Sequence, residues 1–204
     1  MAGVIYESVR GIQSIQIEDD FLRNRKVFLV GEVNDDSCNE LIKQLLYMEG
    51  EDNTRPITLF INSPGGNVNS GLAVYDTIRL MKSPVTAIVM GIAASMASII
   101  LLAAEKERRF MLPSSRIMIH DCSWGNRNMG GYKPHEVEEE LKQLKNTNAR
   151  LLSITAERCG KSVKQVAKVT MNDRYFDTKE AIDFGLIDAV LDNDLFDRIA
   201  EKGE

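Results

Sequence analysis

The sequence predicts an α/β protein, because short strand-like runs alternate with segments whose apolar residues recur at helical spacing. The runs at residues 26–30 and 57–61 are strand-like, and a helical pattern follows each of them. The chain of 204 residues can bury one good core, and no Pro/Gly/Ser-rich linker divides it. We therefore expect a single domain over residues 1–204.

The first two helices are predicted from their start and stop signals. Asn34 and Ser37 are residue types that cap a helix, and apolar residues then recur at helical spacing between positions 41 and 48. The segment 62–67, Asn-Ser-Pro-Gly-Gly-Asn, predicts a turn after the second strand. A second helix follows over 68–81, with a core-facing apolar stripe, and Pro84 ends it.

The stretch 83–104 contains no charged residue and is long enough to cross a bilayer. Its local signals nevertheless favour a different structure. Pro84 opens the stretch, residues 85–89 have β character, Gly91 interrupts the run, and 93–104 has helical character. We therefore expect a buried strand that leads into a buried helix, and no membrane span.

The C-terminal half continues the alternation. Short strands are predicted at 110–112 and 117–119, and Pro134 starts a long helix with charges opposite one apolar face. So long an apolar stripe favours burial against another surface. Ser162 and Gln165 have the spacing of a capping box, and residues 177–180 start a further helix that Gly185 ends.

Composition excludes several classes of function. The net charge of -5 provides no basic stripe for nucleic acid. The three cysteines are widely spaced and odd in number, which fits a reducing compartment, and the two histidines without a CxxC pair give no zinc site. The N-terminus has no basic-then-apolar signal architecture, so we expect a cytoplasmic protein.

A nucleotide site is not predicted either. The segment 159–162, Cys-Gly-Lys-Ser, resembles the end of a phosphate-binding loop, but Thr155 stands where that motif needs a glycine. We expect no cofactor in this chain, so any dependence on ATP would belong to a partner.

The strongest functional signal is Gly91-Ile-Ala-Ala-Ser95-Met-Ala-Ser98, followed by His120. A serine nucleophile needs a base to take its proton, a carboxylate to orient that base, and two N–H donors for the oxyanion. Gly66, which has no Cβ, would let its N–H approach a substrate closely. Spacing alone does not show that Ser95 and His120 meet in space. Ser95 could instead be a small residue packed in the core, and His120 could be a structural residue at the end of a strand. The GxSxG elbow of the α/β-hydrolases is absent.

Four ordered blocks resemble the signatures of the ClpP family and span residues 24–192. They are Asn62-Ser-Pro-Gly-Gly66, Gly91-Ile-Ala-Ala-Ser-Met96, Leu112-Pro-Ser-Ser-Arg-Ile-Met-Ile-His120, and Asp173-Arg-Tyr-Phe176 with Phe184-Gly-Leu-Ile-Asp188. The resemblance implies a crotonase-like fold, a repeated ββα superhelix with a protruding handle helix at about 133–159 and an N-terminal gating segment at 1–23. It also implies a serine endopeptidase of two stacked heptameric rings, to which an AAA+ unfoldase delivers unfolded proteins.

The resemblance assigns roles to individual residues. Ser95 would be the nucleophile, His120 the general base and Asp173 the carboxylate that orients it. The oxyanion hole would be formed by the backbone N–H groups of Gly66 and Met96. Apolar pockets for unfoldase loops would correspond to three further residues: Phe60, Leu80 and Ile88.

The chain also departs from the family pattern. Met171 and Asn172 stand where the family carries an acidic-basic pair that links ring contacts to the active site. After His120, residues 121–131 replace a Gln-Pro pair and a glycine-rich strand that line the substrate groove. At the N-terminus, residues 4–11 resemble the gating segment only loosely. We therefore expect altered coupling between assembly and activity, and altered groove specificity.

Two alternative functions remain open from the sequence. A crotonase-like enzyme would use paired N–H groups to hold a CoA-thioester enolate, but this leaves Ser95, His120 and Asp173 without a shared role. A conditionally active or regulatory subunit, mixed with a second ClpP-type subunit in a hetero-oligomer, would account for Met171 and Asn172.

Overall fold

A computed structural model of the chain describes residues 3–8, 11–125 and 130–195. Strands and helices alternate along this part of the chain. In chain order they are β1 (Gly3–Ser8), β2 (Gly11–Gln16), α1 (Ile17–Arg23), β3 (Lys26–Val33), α2 (Asp35–Glu51), β4 (Ile57–Gly66), α3 (Val68–Leu80), β5 (Val85–Ala94), α4 (Met96–Leu101), β6 (Arg109–Met111), β7 (Arg116–Ile119), α5 (Pro134–Cys159), α6 (Val163–Thr170), β8 (Arg174–Phe176), α7 (Thr178–Phe184) and β9 (Ala189–Val190).

Seven of these strands form one sheet, which is parallel apart from β8. The strand order is β3-β4-β5-β6-β9, and β7 pairs with the end of β5 on one side and antiparallel with β8 on the other. The predicted α/β class is therefore confirmed. β1 and β2 form a separate antiparallel pair within the proposed gating segment, of which residues 1, 2, 9 and 10 lie outside the described ranges.

Strand β5 pairs with two different strands along its length. Its first half pairs with β6, and Ile92–Ala94 pair with β7 beyond Gly91, whose φ is +88°. Ser115 stabilises β5 at the point where its pairing partner changes. The Ser115 hydroxyl donates to Val89 O at 3.0 Å and accepts from Gly91 N at 2.8 Å. The carboxyl ends of β5 and β7 consequently lie side by side.

The apolar core lies between this sheet and the helices that cover it. Helices α2, α3 and α4 contribute most of their buried residues to one continuous cluster. Helix α5 joins this cluster only near its C-terminal end, through partly buried Leu151 and Ile154 and buried Cys159. Toward the N-terminal end of α5 the predicted apolar face is less covered, and Leu141 is exposed.

The predicted helix signals are observed. Asn34 Oδ1 accepts from Ser37 N at 2.9 Å, while Ser37 Oγ accepts from Asn34 N at 3.1 Å. Capping boxes also open α6 and α7, and Gly185 ends α7 in the left-handed region, with φ +90°. An added Cβ at Gly185 would lie 2.7 Å from Cys159 O, so glycine is required there for close packing as well as for its backbone angle.

Two element boundaries differ from the sequence prediction. Residues 62–66 are not a turn but the end of β4, because they pair with both neighbours: Glu32 with Gly65, and Ser63 with Ala93. The helix predicted over 93–104 begins only at Met96 and ends at Leu101, because β5 continues through Ala94 in register with β7. Pairing with neighbouring strands outweighs local propensity in both places.

The uncharged stretch 83–104 divides into β5 and α4 as predicted, a mostly buried strand followed by a buried helix. Within the described ranges, no helix has both the length and the apolar character needed to span a bilayer.

Candidate active site

Ser95 occupies the sharp turn between β5 and α4. It is one of three non-glycine residues with positive φ in the described ranges, at φ +52° and ψ -122°. Ser95 N donates to Met118 O at 2.9 Å, and Ser95 O accepts from Ser98 N at 3.0 Å. These contacts hold the serine in a backbone conformation that L-residues seldom adopt, a feature that concentrates at functional sites.

His120 follows the last residue of β7 and reaches the serine. Its Nε2 lies 2.7 Å from Ser95 Oγ, within ordinary hydrogen-bond distance. The contact is a consequence of the sheet, because parallel pairing of Ala94 with Met118 brings the ends of β5 and β7 together. Residues separated by 25 positions in the chain thereby form a hydroxyl and imidazole pair.

Asp173 lies close to the other ring nitrogen, at a looser distance. Its Oδ1 is 3.4 Å from His120 Nδ1, and 62% of its side chain is exposed. The antiparallel pairing of Ile119 with Arg174 places it there, since Asp173 immediately precedes β8. Because the aspartate is so exposed, the attraction between the two charges contributes little free energy by itself. The structure thus brings the three predicted side chains together, with the serine-histidine contact closer than the histidine-aspartate one.

A second set of bonds ties the segments that carry His120 and Asp173. Asp121 N donates to Thr170 O at 2.7 Å, and Thr170 Oγ1 donates to Asp121 Oδ1 at 2.6 Å. Cys122 N donates to Asn148 Oδ1 at 2.9 Å, which anchors the same segment to α5. Thr170 and Asn148 were not identified from the sequence, because nothing local marks a contact with a segment tens of residues away.

Of the two glycines at the end of β4, Gly65 lies against the serine turn and Gly66 packs against β3. A Cβ added at Gly65 would lie 2.8 Å from Ser95 Cβ and 2.9 Å from Met96 N. Gly66, at φ +148°, packs so closely on β3 that an added Cβ would lie 2.2 Å from Val33 O. Met96 is the first residue of α4, where backbone N–H groups have no intrahelical partner. Met96 directly follows Ser95 in the chain, and Gly66 lines the same pocket as both residues.

A pocket of about 470 Å³ opens beside these residues. Its apolar part is lined by the side chains Val68, Met96, Ile99, Ile119, Leu151 and Leu152. Its polar part includes Ser95, His120, Glu32 and Asn67, and Trp124 contributes a further wall. An apolar pocket with a few convergent polar groups is typical of ligand sites, and this one could accept a side chain next to a reacting carbonyl.

Ser95 is a better candidate nucleophile than the cysteine of the same pocket. Cys122 also lines it, but burial and the nearby Asp121 carboxylate raise the pKa of its thiol and so disfavour the reactive thiolate. The described part of the chain holds no cluster of three or more His, Cys, Asp or Glu residues suited to a metal ion.

The three residues predicted to meet an unfoldase do not share one surface environment. Ile88 is fully buried beside Phe110 and Leu191, and Phe60 packs partly buried against the same group. Leu80, by contrast, is 85% exposed at the end of α3. Their role in docking stays a prediction.

Comparison with known proteins identifies the family. The family model described as Clp protease matches residues 9–194. The protein named ATP-dependent Clp protease proteolytic subunit of Streptococcus mutans is 40% identical over 190 residues, which cover 93% of this chain and 96% of the relative. The protein of that name in Streptococcus uberis matches with the same identity and coverage. The resemblance found in the sequence is confirmed, and the chain belongs to the Clp protease family.

Proposed function

We propose that this chain is a serine endopeptidase, the proteolytic subunit of a compartmental Clp-type protease. The observation that carries the proposal is the 2.7 Å distance between Ser95 Oγ and His120 Nε2 at the mouth of an apolar pocket. A serine hydroxyl within reach of a histidine is the geometry of an activated nucleophile. Its substrates would be unfolded proteins or peptides.

In the proposed reaction Ser95 Oγ attacks the carbonyl carbon of the scissile peptide bond, and His120 Nε2 takes the hydroxyl proton. His120 then donates that proton to the leaving amine, which departs as the acyl-enzyme forms on Ser95. In the second half of the reaction His120 takes a proton from water as it attacks the ester carbonyl. His120 then returns the proton to Ser95 Oγ as the bond from Oγ to the acyl carbon breaks and the acid product leaves. Asp173, which lies 3.4 Å from Nδ1, would orient the imidazole and stabilise its protonated form.

The N–H groups of Gly66 and Met96 would bind the oxyanion of each tetrahedral intermediate. This role is supported by the packing of Gly65, the residue before Gly66, against the serine turn and by the place of Gly66 in the lining of the pocket. The position of Met96 at the start of α4 supports it as the second donor. Donors fixed in this way are preorganised, and loss of one typically lowers turnover about 100- to 1,000-fold.

The assembly would consist of two stacked heptameric rings fed by an AAA+ unfoldase, which would use the ATP. The names of the Streptococcus relatives motivate the ATP-dependent partner. Helix α5 would be the handle helix between rings, supported by the incomplete burial of its N-terminal apolar face, including exposed Leu141. The three free cysteines are in keeping with a cytoplasmic location.

The loose histidine-aspartate contact favours a second candidate function, that of a conditionally active subunit. Asp173 is exposed and lies beyond ordinary hydrogen-bond distance from His120, and Met171 beside it is 71% exposed. A neighbouring subunit that covered this surface would strengthen the contact by removing water. Peptide cleavage by this chain alone, compared with cleavage after addition of a second ClpP-type subunit, separates the two candidates.

The Ser95→Ala variant tests the proposal. It removes one oxygen and adds no bulk, so peptide cleavage should be abolished while native mass spectrometry finds the same assembly as for the wild type. Ser114→Ala is the matched control, since Ser114 is exposed in the turn before β7 and should leave cleavage unchanged. Retained cleavage in Ser95→Ala would refute the assignment of the nucleophile.

A further inference from the structure

Glu32 brings a carboxylate into the proposed catalytic pocket. It lies near the end of β3 and pairs with Gly65, in a part of the β3-β4 ladder where the register shifts between Val30 and Glu32. Its side chain passes close to the next glycine, since Glu32 Cγ would lie 3.1 Å from a Cβ added at Gly66. Glu32 lines the same pocket as Ser95 and His120.

This carboxylate forms no ion pair with another residue that the structure describes. The described lining of the pocket contains no lysine or arginine, and Glu32 forms none of the ion pairs found between described residues. The other ionisable side chains of the described lining are His120, which contacts Ser95, and the neutral thiol of Cys122. Within the described lining, the Glu32 carboxylate therefore contributes a negative charge that no basic side chain balances.

The rest of the pocket suits the stem of a long basic side chain. Val68, Met96 and Ile99 provide apolar surface on which methylene groups can pack. Lysine and arginine bind in this way, with the aliphatic stem on apolar surface and the charged head at a polar or exposed group. An acidic substrate side chain would meet like charge at Glu32, and a neutral apolar one would gain nothing from it.

We infer that Glu32 is a specificity-determining residue that favours peptide substrates with a lysine or arginine next to the scissile bond and disfavours those with an acidic residue there. The inference rests on the proposed function, because it concerns the substrate of the same site. Glu32 is exposed, so its effect is that of a partly solvated ion pair, about 1.4- to 5-fold in kcat/KM for one basic side chain. The preference should weaken as salt screens the charges.

The test uses quenched-fluorescence peptides that differ only at one residue beside the cleaved bond, with Lys, Met or Glu in turn on either side. The assembled wild type should show the highest kcat/KM for Lys and the lowest for Glu on one of the two sides. Glu32→Gln keeps the shape and removes the charge, so the Lys-to-Met ratio should fall and the rate for the Glu peptide should rise. Glu40→Gln, on the exposed face of α2, changes the net charge equally and should leave both ratios as in the wild type.

Two failures can be told apart. Cleavage with a Lys-to-Met ratio that is the same in the wild type and in Glu32→Gln, or that changes equally in Glu40→Gln, overturns the inference and leaves the proposed function standing. If no peptide is cleaved and a fluorophosphonate leaves no adduct on Ser95, the proposed function is wrong and the inference is wrong with it.

Discussion

The hydrogen bond between Thr170 and Asp121 should help to fix the position of His120 relative to Asp173. Thr170 Oγ1 donates to Asp121 Oδ1 at 2.6 Å, and Asp121 directly follows His120. Thr170 ends α6, three residues before Asp173. We predict that Thr170→Val, which keeps the side-chain shape and removes the donor, lowers both the stability of the protein and the reactivity of Ser95.

The expected size follows from the burial of the two partners. A hydrogen bond to a charged group is worth about 1.5–3 kcal/mol, and water can replace part of it because Asp121 is only half-buried while Thr170 is buried. We therefore expect a loss of about 1–2 kcal/mol in the free energy of unfolding, or about 2–8 °C in Tm for a chain of this size. If poorer positioning of His120 raises the activation free energy for acylation of Ser95 by about 1 kcal/mol, the labelling rate falls about fivefold.

Thermal unfolding and the rate of fluorophosphonate labelling of Ser95, both at matched protein concentration and assembly state, measure the two effects. Thr170→Ser is the control, because it retains the hydroxyl and should lie closer to the wild type in both measurements. If Thr170→Val matches the wild type in Tm and in labelling rate, the bond does not position the site. A serine variant as impaired as the valine variant would attribute the effect to lost packing.

Three further predictions concern the scaffold. Gly66→Ala places a Cβ 2.2 Å from a β3 carbonyl oxygen, so the end of β4 must shift, and Ser95 labelling should fall at least tenfold. Arg158→Met removes the bonds from its guanidinium to Leu102 O at 2.8 Å and Ala104 O at 2.6 Å, and should lower the free energy of unfolding by about 3–5 kcal/mol in urea titrations. Burial raises the pKa of Cys159 to about 11 from 9.0. Between these two pH values the folded chain keeps a proton that the unfolded chain has released, so the free energy of unfolding decreases as the pH rises. In Cys159→Ala the stability should decline less steeply there.

The glycine and arginine predictions each have a control substitution at an exposed position of the chain. Gly50→Ala, where an added Cβ meets nothing within 4 Å, should raise stability slightly, since Gly50 lies in the last turn of helix α2. Arg150 makes an exposed ion pair with Asp76, so Arg150→Met should change stability by about 1 kcal/mol or less. Equal effects at Gly50 and Gly66, or at Arg150 and Arg158, would contradict the reasoning from burial. An unchanged pH slope in Cys159→Ala would assign the alkaline loss to other groups.

Much of the fold was predictable because local signals agree with the tertiary structure. The capping residues Asn34 and Ser162 and the terminating Gly185 act within one or two helical turns, so the sequence displays them directly. The order of the family blocks also predicted which serine, histidine and aspartate would meet. Their meeting depends on β5 pairing with β7 and on β7 pairing with β8, which no local pattern encodes.

The errors lie where small residues extend a strand. Gly65 and Gly66 predict a turn by composition, and Ala93 and Ala94 favour helix, yet all four belong to strands. Neighbouring strands supply the hydrogen bonds that make these residues extended, and the absence of bulky side chains is what lets β4 approach the serine turn. Glu32 lines the pocket as well, a position that the sequence of β3 by itself does not indicate.

The central claim is that His120 activates Ser95. Mass spectrometric mapping of the fluorophosphonate adduct, on the wild type and on His120→Gln in the same assembly state, tests it most directly. We predict an adduct on Ser95 alone in the wild type and a loss of labelling rate of at least a hundredfold in His120→Gln. An adduct at another residue, or labelling of Ser95 at the same rate without the imidazole, would contradict the account.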